Sequence, residues 1–314
     1  MSSTKALLRT VLGERRYASI ARALFPRRIA LEYGGTPILQ DIDQGGGLLK
    51  EIILRGHPAA IGKIGALELR ACLAVERLGS GGRLKRGFLE ELHATAGIFP
   101  PETEVIRRFA SIYENAVHAI DLLAVWYLEG EEKFVIQHAP DARLIRILAL
   151  EAYMSPANPW TSALSGKRVV VVSPFASSME RQYARREHVW PGTSVLPDFA
   201  LRTIRAPLSD FLVASNESDW FSALESLRSK LREEPFDVAL IGCGAFSLPL
   251  AVEAKRLGSI GVHLGGATQL LFGILGSRWE GADYLKSFVN DAWVRPTADE
   301  RPPGVGRVEG GAYW

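Results

Sequence analysis

Residues 235–279 read PFDVALIGCGAFSLPLAVEAKRLGSIGVHLGGATQLLFGILGSRW and leave the chain few folds to choose from. A short apolar run at 237–241 ends in Gly242 and Gly244. Pro249 suits the first turn of a helix, and 250–257 carries that helix onward. A second apolar run, 261–264, passes directly into Gly265-Gly266. Short apolar runs split by an amphipathic helix predict a parallel βαβ unit, because parallel strands are buried on both faces. In open sheets of that kind, ligands bind beyond the carboxyl ends of the strands. Both glycine turns fall at that edge.

The chain has 314 residues, room for one large or two modest domains. With 47% hydrophobic and 23% charged residues it can bury a core and is not a disordered chain. A net charge of +2 gives no global case for nucleic-acid binding. Cys72 and Cys243 both sit in apolar segments and make no disulfide framework. No Cys/His pair has zinc-ligand spacing. Residues 1–28 lack the uninterrupted apolar stretch of a secretory leader, and nothing approaches the ~18 apolar residues of a membrane span. The expectation is a soluble cytoplasmic protein.

Residues 5–25 predict a helix with Leu8, Val11, Leu12, Ile20, Ala23 and Leu24 as its apolar stripe. Arg9, Arg15, Arg16, Arg22, Arg27 and Arg28 stand against one acid, Glu14. Two readings fit: a helix docked on the core with solvated arginines, or one lying on an anionic membrane. Residues 32–47 read as loop, 48–54 as helix, and 58–64 as a strand ending at Gly65. Residues 66–78 follow as a helix carrying Glu68 and Arg70. Pro100-Pro101 opens a helical stretch, 102–128, with Ile106, Phe109, Tyr113, Val117, Ile120 and Leu123 at helical period. Residues 141–153 read as helical and 158–166 as linker.

Beyond the linker, 168–172 is a strand, 173–175 a turn and 176–186 a helix. A strand at 200–204 and an amphipathic helix at 220–232 precede the βαβ unit. The expected fold is α/β: a Rossmann-like, doubly wound, mostly parallel sheet with additional N-terminal and inserted helices. The expected parts are a basic helix (1–30), an α/β domain (31–290) with the helical region 100–157 inserted or packed on it, and an irregular tail (291–314).

For chemistry, Gly242-Cys243-Gly244-Ala245-Phe246-Ser247 approaches G-x-G-x-x-G, but Ser247 replaces the third glycine. The next strand ends in His263, where a dinucleotide site needs an acid for the ribose. No P-loop is present. Ser173 lies in Val-Ser-Pro, not in G-x-S-x-G. What remains is a set of glycine turns at strand ends, which present backbone N–H groups to an anion such as a nucleotide diphosphate. The polar candidates around them are Lys63, Glu68, Arg70, Arg181, Gln182, His263, Thr268 and Gln269. His263 is a general base or a hydrogen-bonded core histidine.

Ala60-Ile61-Gly62-Lys63-Ile64-Gly65-Ala66-Leu67-Glu68-Leu69 resembles the R-x-G-D-G-E segment of the GT-D-type glycosyltransferases. Residues 238–266 resemble that family's closing unit, through Gly242–Phe246 and His263-Leu264-Gly265-Gly266. Residues 158–314 are also similar to bacterial proteins that occur with surface-polysaccharide genes. Those share PW…L-x-GK, PF, GG-x-x-QLLFGI-x-G-x-RW and GG-x-YW patterns. Here these are Pro159-Trp160, Leu164, Gly166-Lys167, Pro174-Phe175, residues 265–279 and residues 310–314.

The resemblance implies transfer of a sugar from a nucleotide-sugar donor to a glycan or lipid-linked glycan in capsule or O-antigen-type synthesis. It implies Glu68 and His263 as catalytic groups. For the donor it implies Lys63, Gly65, Arg70, Arg181, Gly242, Gly244, Gly265, Gly266, Thr268, Gln269 and Arg278. Trp279, Trp293 and Trp314 are stacking surfaces or core. In the family two carboxylates hold a divalent metal, Mn or Mg. Here Ala66 stands where the family has its aspartate and Glu68 alone remains, a poor metal site. His263 stands where the family has an aspartate, and Gly266 where it has a histidine. The alternative is a non-catalytic nucleotide-binding scaffold of a glycan-assembly complex.

Overall fold

The computed structural model describes residues 30–79, 81–207, 217–301, 305–307 and 311–314. The basic helix expected at 5–25 lies outside them. Among the described residues nine strands form one sheet: β1 (Glu32–Tyr33), β2 (Thr36–Leu39), β3 (Ala59–Gly62), β4 (Leu122–Val125), β5 (Arg143–Arg146), β6 (Arg168–Ser173), β7 (Ala200–Arg205), β8 (Val238–Ile241) and β9 (Ile260–His263). Their spatial order is β1-β2-β5-β4-β3-β9-β8-β6-β7. The β1–β2 hairpin is antiparallel and every other pairing is parallel. The α/β, doubly wound reading holds.

Among the described residues ten helices cover the sheet. They are α1 (Ile42–Arg55), α2 (Ala66–Leu78), α3 (Arg86–Glu91), α4 (Thr103–His118), α5 (Glu131–His138), α6 (Ala176–Tyr183), α7 (Arg186–Val189), α8 (Trp220–Arg232), α9 (Ser247–Arg256) and α10 (Ala267–Leu271). The direction of each crossover decides its face. The steps β3→β4, β4→β5, β7→β8 and β8→β9 run one way across the sheet, and α2, α4, α5, α8 and α9 pack in one apolar layer. The steps β2→β3, β5→β6 and β6→β7 run the opposite way, and α1, the turns around Tyr153 and Trp160, and α6 pack in the other. A constant crossover hand requires this sorting. Strand residues alternate to match. Val170, Val172, Ala239 and Ile241 join the first layer, while Val169, Val171, Val238 and Leu240 join the second.

One seam matters for function. From β3 the chain leaves into the first layer through α2. From β9 it leaves into the second through α10, whose Leu270 and Leu271 pack there. These two strands are neighbours, with Ile61 beside Val262. Their carboxyl ends diverge and open a crevice at a topological switch point.

Three expectations need correction. The helix expected over 102–128 stops at His118, and Leu122–Val125 is a central strand. All four of its residues are buried on both faces, so the run carries no alternation and Leu123 falls by chance on the helix's apolar period. Residues 141–153 hold strand β5 and two short 3-10 turns, not a helix. The region 100–157 therefore supplies two strands to the sheet. Gly45-Gly46-Gly47 lies inside α1, which Asp41 caps by accepting from the Gln44 N–H at 2.8 Å. A Cβ at Gly45 would stand 2.7 Å from that of Ala149, so this glycine lets helix and turn approach closely.

Candidate functional site

A cavity of about 200 Å³ opens at the carboxyl ends of β3, β9, β8 and β6. The walls begin with Lys63, directly after β3. The α2 helix starts two residues later with Gly65 as its N-cap, and no side chain caps it. The Gly65 N–H donates to the Tyr113 hydroxyl at 3.0 Å. Glu68 sits in the first turn of α2 and is buried. Its carboxylate folds back over Gly65, into space that any side chain there would need. Burial raises the Glu68 pKa, against the opposing pull of its own backbone N–H and of Lys63.

Lys63 reaches across to the other turn. Its Nζ lies 4.0 Å from the centroid of the Trp126 ring. It also lies 3.1 Å from where a Cβ of Gly265 would be. Gly265 has φ +60°, a left-handed conformation that glycine adopts freely. Among the described residues the ammonium has no hydrogen bond and no ion pair. Burial lowers its pKa to about 8; Glu151 and Glu68 pull upward, and Arg278 adds to the lowering. A largely desolvated cation that no hydrogen bond or ion pair offsets is costly to keep in a fold.

His263 ends β9 beside Gly62, and a Cβ on Gly62 would lie 2.7 Å from the His263 Cβ. The imidazole is 5% exposed and its Nδ1 has no partner. Burial, then Lys63, brings its pKa down to about 3, so the ring is neutral. At the end of β8, Gly242 leaves room for the Thr268 side chain, and Gly244 turns with φ +61°. The Cys243 N–H donates to Ser247 Oγ at 2.9 Å. At the end of β6, Ser173 Oγ accepts from the Phe175 N–H at 3.2 Å and closes a local turn.

The last wall is the stretch expected as an irregular tail. Trp314 is 7% exposed, packs edge-on against Phe175 at 5.5 Å, and donates from Nε1 to the Glu300 carbonyl at 2.6 Å. The Ser277 N–H donates to the Trp314 carbonyl at 3.0 Å, and the Arg278 N–H to that of Ala312 at 2.8 Å. Gln269 Nε2 donates to the Tyr313 carbonyl at 2.9 Å, and Arg278 Nη1 to the Tyr313 hydroxyl at 3.0 Å. Residues 277–279 and 312–314 thus form one pad over Gly266.

Ten of the candidates line this cavity: Lys63, Gly65, Glu68, Gly242, Gly244, His263, Gly265, Gly266, Gln269 and Arg278. Thr268 is buried behind Gly242. Two arginines stand apart. Arg70 faces outward and pairs bidentately with Glu91 at 2.7 and 2.9 Å. Arg181 lies on the exposed side of α6 and is not in the lining. Gln182 is buried and donates to the Gly273 and Ala292 carbonyls. Trp279 and Trp314 back the site, while Trp293 is core, donating to the Val189 carbonyl at 3.2 Å.

Trp126, Glu151 and Tyr313 escaped the sequence reading as site residues. Trp126 follows strand β4 directly, so recognising that strand would have placed it at the ligand edge. Glu151 carries no comparable signal.

The carboxylate and its surroundings do not fit a divalent metal. Such an ion needs several hard oxygen ligands. Glu68 offers one carboxylate, beside the Lys63 ammonium, and Ala66 adds none. Among the described residues no group of three His, Cys, Asp or Glu side chains could hold an ion. No helix among them is long and apolar enough to cross a membrane. Comparison with family models, with curated proteins and with solved structures gives no match.

Proposed function

We propose that the cavity binds the diphosphate end of a nucleotide-sugar, and that the chain is a glycosyltransferase-like protein of bacterial surface-glycan synthesis. One observation carries this reading: the unpaired Lys63 ammonium stands in a switch-point cavity, beside the glycine turns of β3, β8 and β9. In this reading Lys63, and Arg278 from the pad, neutralise the leaving diphosphate without a metal. Glu68 takes the proton of the acceptor hydroxyl as that oxygen bonds to the sugar and the sugar–phosphate bond breaks. His263, held neutral, contributes a hydrogen bond and is too weakly basic for that role. The acceptor is a glycan or lipid-linked glycan, met at the cytoplasmic membrane face with residues 5–28 on the lipid.

A second reading has its own support. Ala66 adds no carboxylate at the mouth, which suits a nucleotide-binding scaffold of a glycan-assembly complex. A thermal-shift panel of UDP, GDP and CMP, with and without Mn²⁺, against NAD and S-adenosylmethionine tests both, because ligands stabilise the state they bind. A metal-independent shift from a nucleoside diphosphate is expected. No shift from any nucleotide rejects both readings. Binding without donor turnover leaves the scaffold.

A further inference from the structure

Tyr127 is the one non-glycine residue with positive φ among those described, at +60°. Left-handed backbone is costly for a residue bearing a Cβ, so something nearby holds it. The turn it belongs to, 126–130, joins β4 to α5. Glu131, the first residue of α5, is 0% exposed. Its carboxylate accepts the Trp126 N–H at 3.0 Å and the Leu128 N–H at 3.1 Å. It also takes the Tyr33 hydroxyl at 3.1 Å, which brings in the β1–β2 hairpin. A second tie runs from the Tyr127 hydroxyl to Gln40 Oε1 at 3.2 Å, at the end of the same hairpin. The immediate product of this turn is the position of Trp126, whose ring lies against the Lys63 ammonium.

We infer that Glu131 is a positioning residue of the anion site: its carboxylate holds the strained Trp126–Leu128 turn, and the turn sets the Trp126 ring that seats Lys63. Glu131 itself lies outside the cavity lining. A buried carboxylate with three donors around it would be needlessly specific for a plain loop. A turn that merely joined β4 to α5 could use Gly at 127. The inference rests on reading Lys63 as the anion-binding group.

The test reads Lys63 directly and needs no nucleotide. Amine acetylation by acetic anhydride is followed against pH by peptide mass spectrometry, with Lys50 and Lys286 as internal references. Charged groups acting on Lys63 are Glu151, Glu68 and Arg278, and all are kept. In Glu131→Gln and in Trp126→Leu the ring leaves the ammonium and water reaches it; relief of the burial that lowers its pKa outweighs the lost ring contact, and its midpoint rises toward the ordinary lysine value. A rise of about one unit lowers labelling at pH 7.5 by about eightfold. Folding of each variant is checked by circular dichroism. If Glu131→Gln does not fold, Glu131→Asp, which keeps the charge and draws the carboxylate back from the Trp126 and Leu128 N–H groups, takes its place with a shift in the same direction. An unchanged Lys63 profile in a folded turn variant overturns the inference. Nucleotide binding is measured separately, so a failed nucleotide panel leaves this result interpretable.

Discussion

The Glu68 carboxylate occupies the space that a side chain at residue 65 would need. Gly265 stands in the same relation to Lys63, and Gly62 to His263. The glycines of the β3–β9 seam are therefore small so that charged and polar site groups can pack against bare backbone. Gly65→Ala should push Glu68 out of its pocket while leaving Lys63 in place. Overpacking of this kind costs about 1–3 kcal/mol. Donor turnover should fall by at least about tenfold, with nucleotide affinity little changed. Equal losses in both would mean that Glu68 only supports binding.

Lys63 is expected to be a liability for folding. Its pKa is lower in the folded state, so the folded chain binds fewer protons than the unfolded chain between about pH 8 and the ordinary lysine value. Stability from this group therefore rises with pH across that window and is lowest below about pH 8. Lys63→Met removes the desolvated charge. Discounted for its partial exposure, that should stabilise the apo protein by about 1–2 kcal/mol at pH 7 and raise Tm by a few degrees. The same variant should lose nucleotide binding. Calorimetry at pH 7 showing a lower Tm would contradict the unpaired ammonium.

The sequence disclosed the second half of the sheet far better than the first. Residues 66–78 and 220–232 were legible as helices because their apolar stripes are flanked by breakers or caps, Gly65 and Gly79 in one case and Asp219 in the other. Strand β4 was hidden for a physical reason. Leu122-Leu123-Ala124-Val125 is buried on both faces, and a helix with matching period runs up to its edge. Missing it hid Trp126 and the turn behind it. The glycine turns pointed to the carboxyl edge of the sheet, where the cavity opens, but their sequence suggests phosphate contact and says nothing of the side chains folded into them. Arg70 looked like a site residue because it follows the Gly65 turn on the same helix as Glu68, but residues two apart on a helix point to different faces, and the geometry shows its outward pairing with Glu91.

Turnover should be bell-shaped in pH. Anion binding needs the Lys63 ammonium, so it falls as pH rises through about 8. Proton abstraction needs the Glu68 carboxylate, so turnover falls as pH drops through a midpoint that burial holds above the usual carboxylate range. Lys63→Arg separates the limbs, since a guanidinium does not titrate in this range. Its kcat/KM profile should keep the acid limb and lose the basic one. A basic limb that survives in Lys63→Arg would assign that limb to another group.

Arg278 and Arg70 provide the sharpest contrast, because the sequence proposed both and the structure separates them. Arg278 lines the cavity and is held at its mouth by the Tyr313 hydroxyl. A hydrogen bond to a charged group is worth about 1.5–3 kcal/mol, so Arg278→Ala should weaken nucleoside diphosphate binding by about tenfold to a hundredfold. Arg70 pairs with Glu91 at the surface, where side chains 52% and 43% exposed are screened by water. Arg70→Ala should change nucleotide affinity by less than about twofold and stability by less than about 1 kcal/mol. Titration calorimetry on both variants decides the matter. Equal effects would mean that the anion does not sit between Lys63 and the pad, and that α2 presents its outer face to the ligand instead.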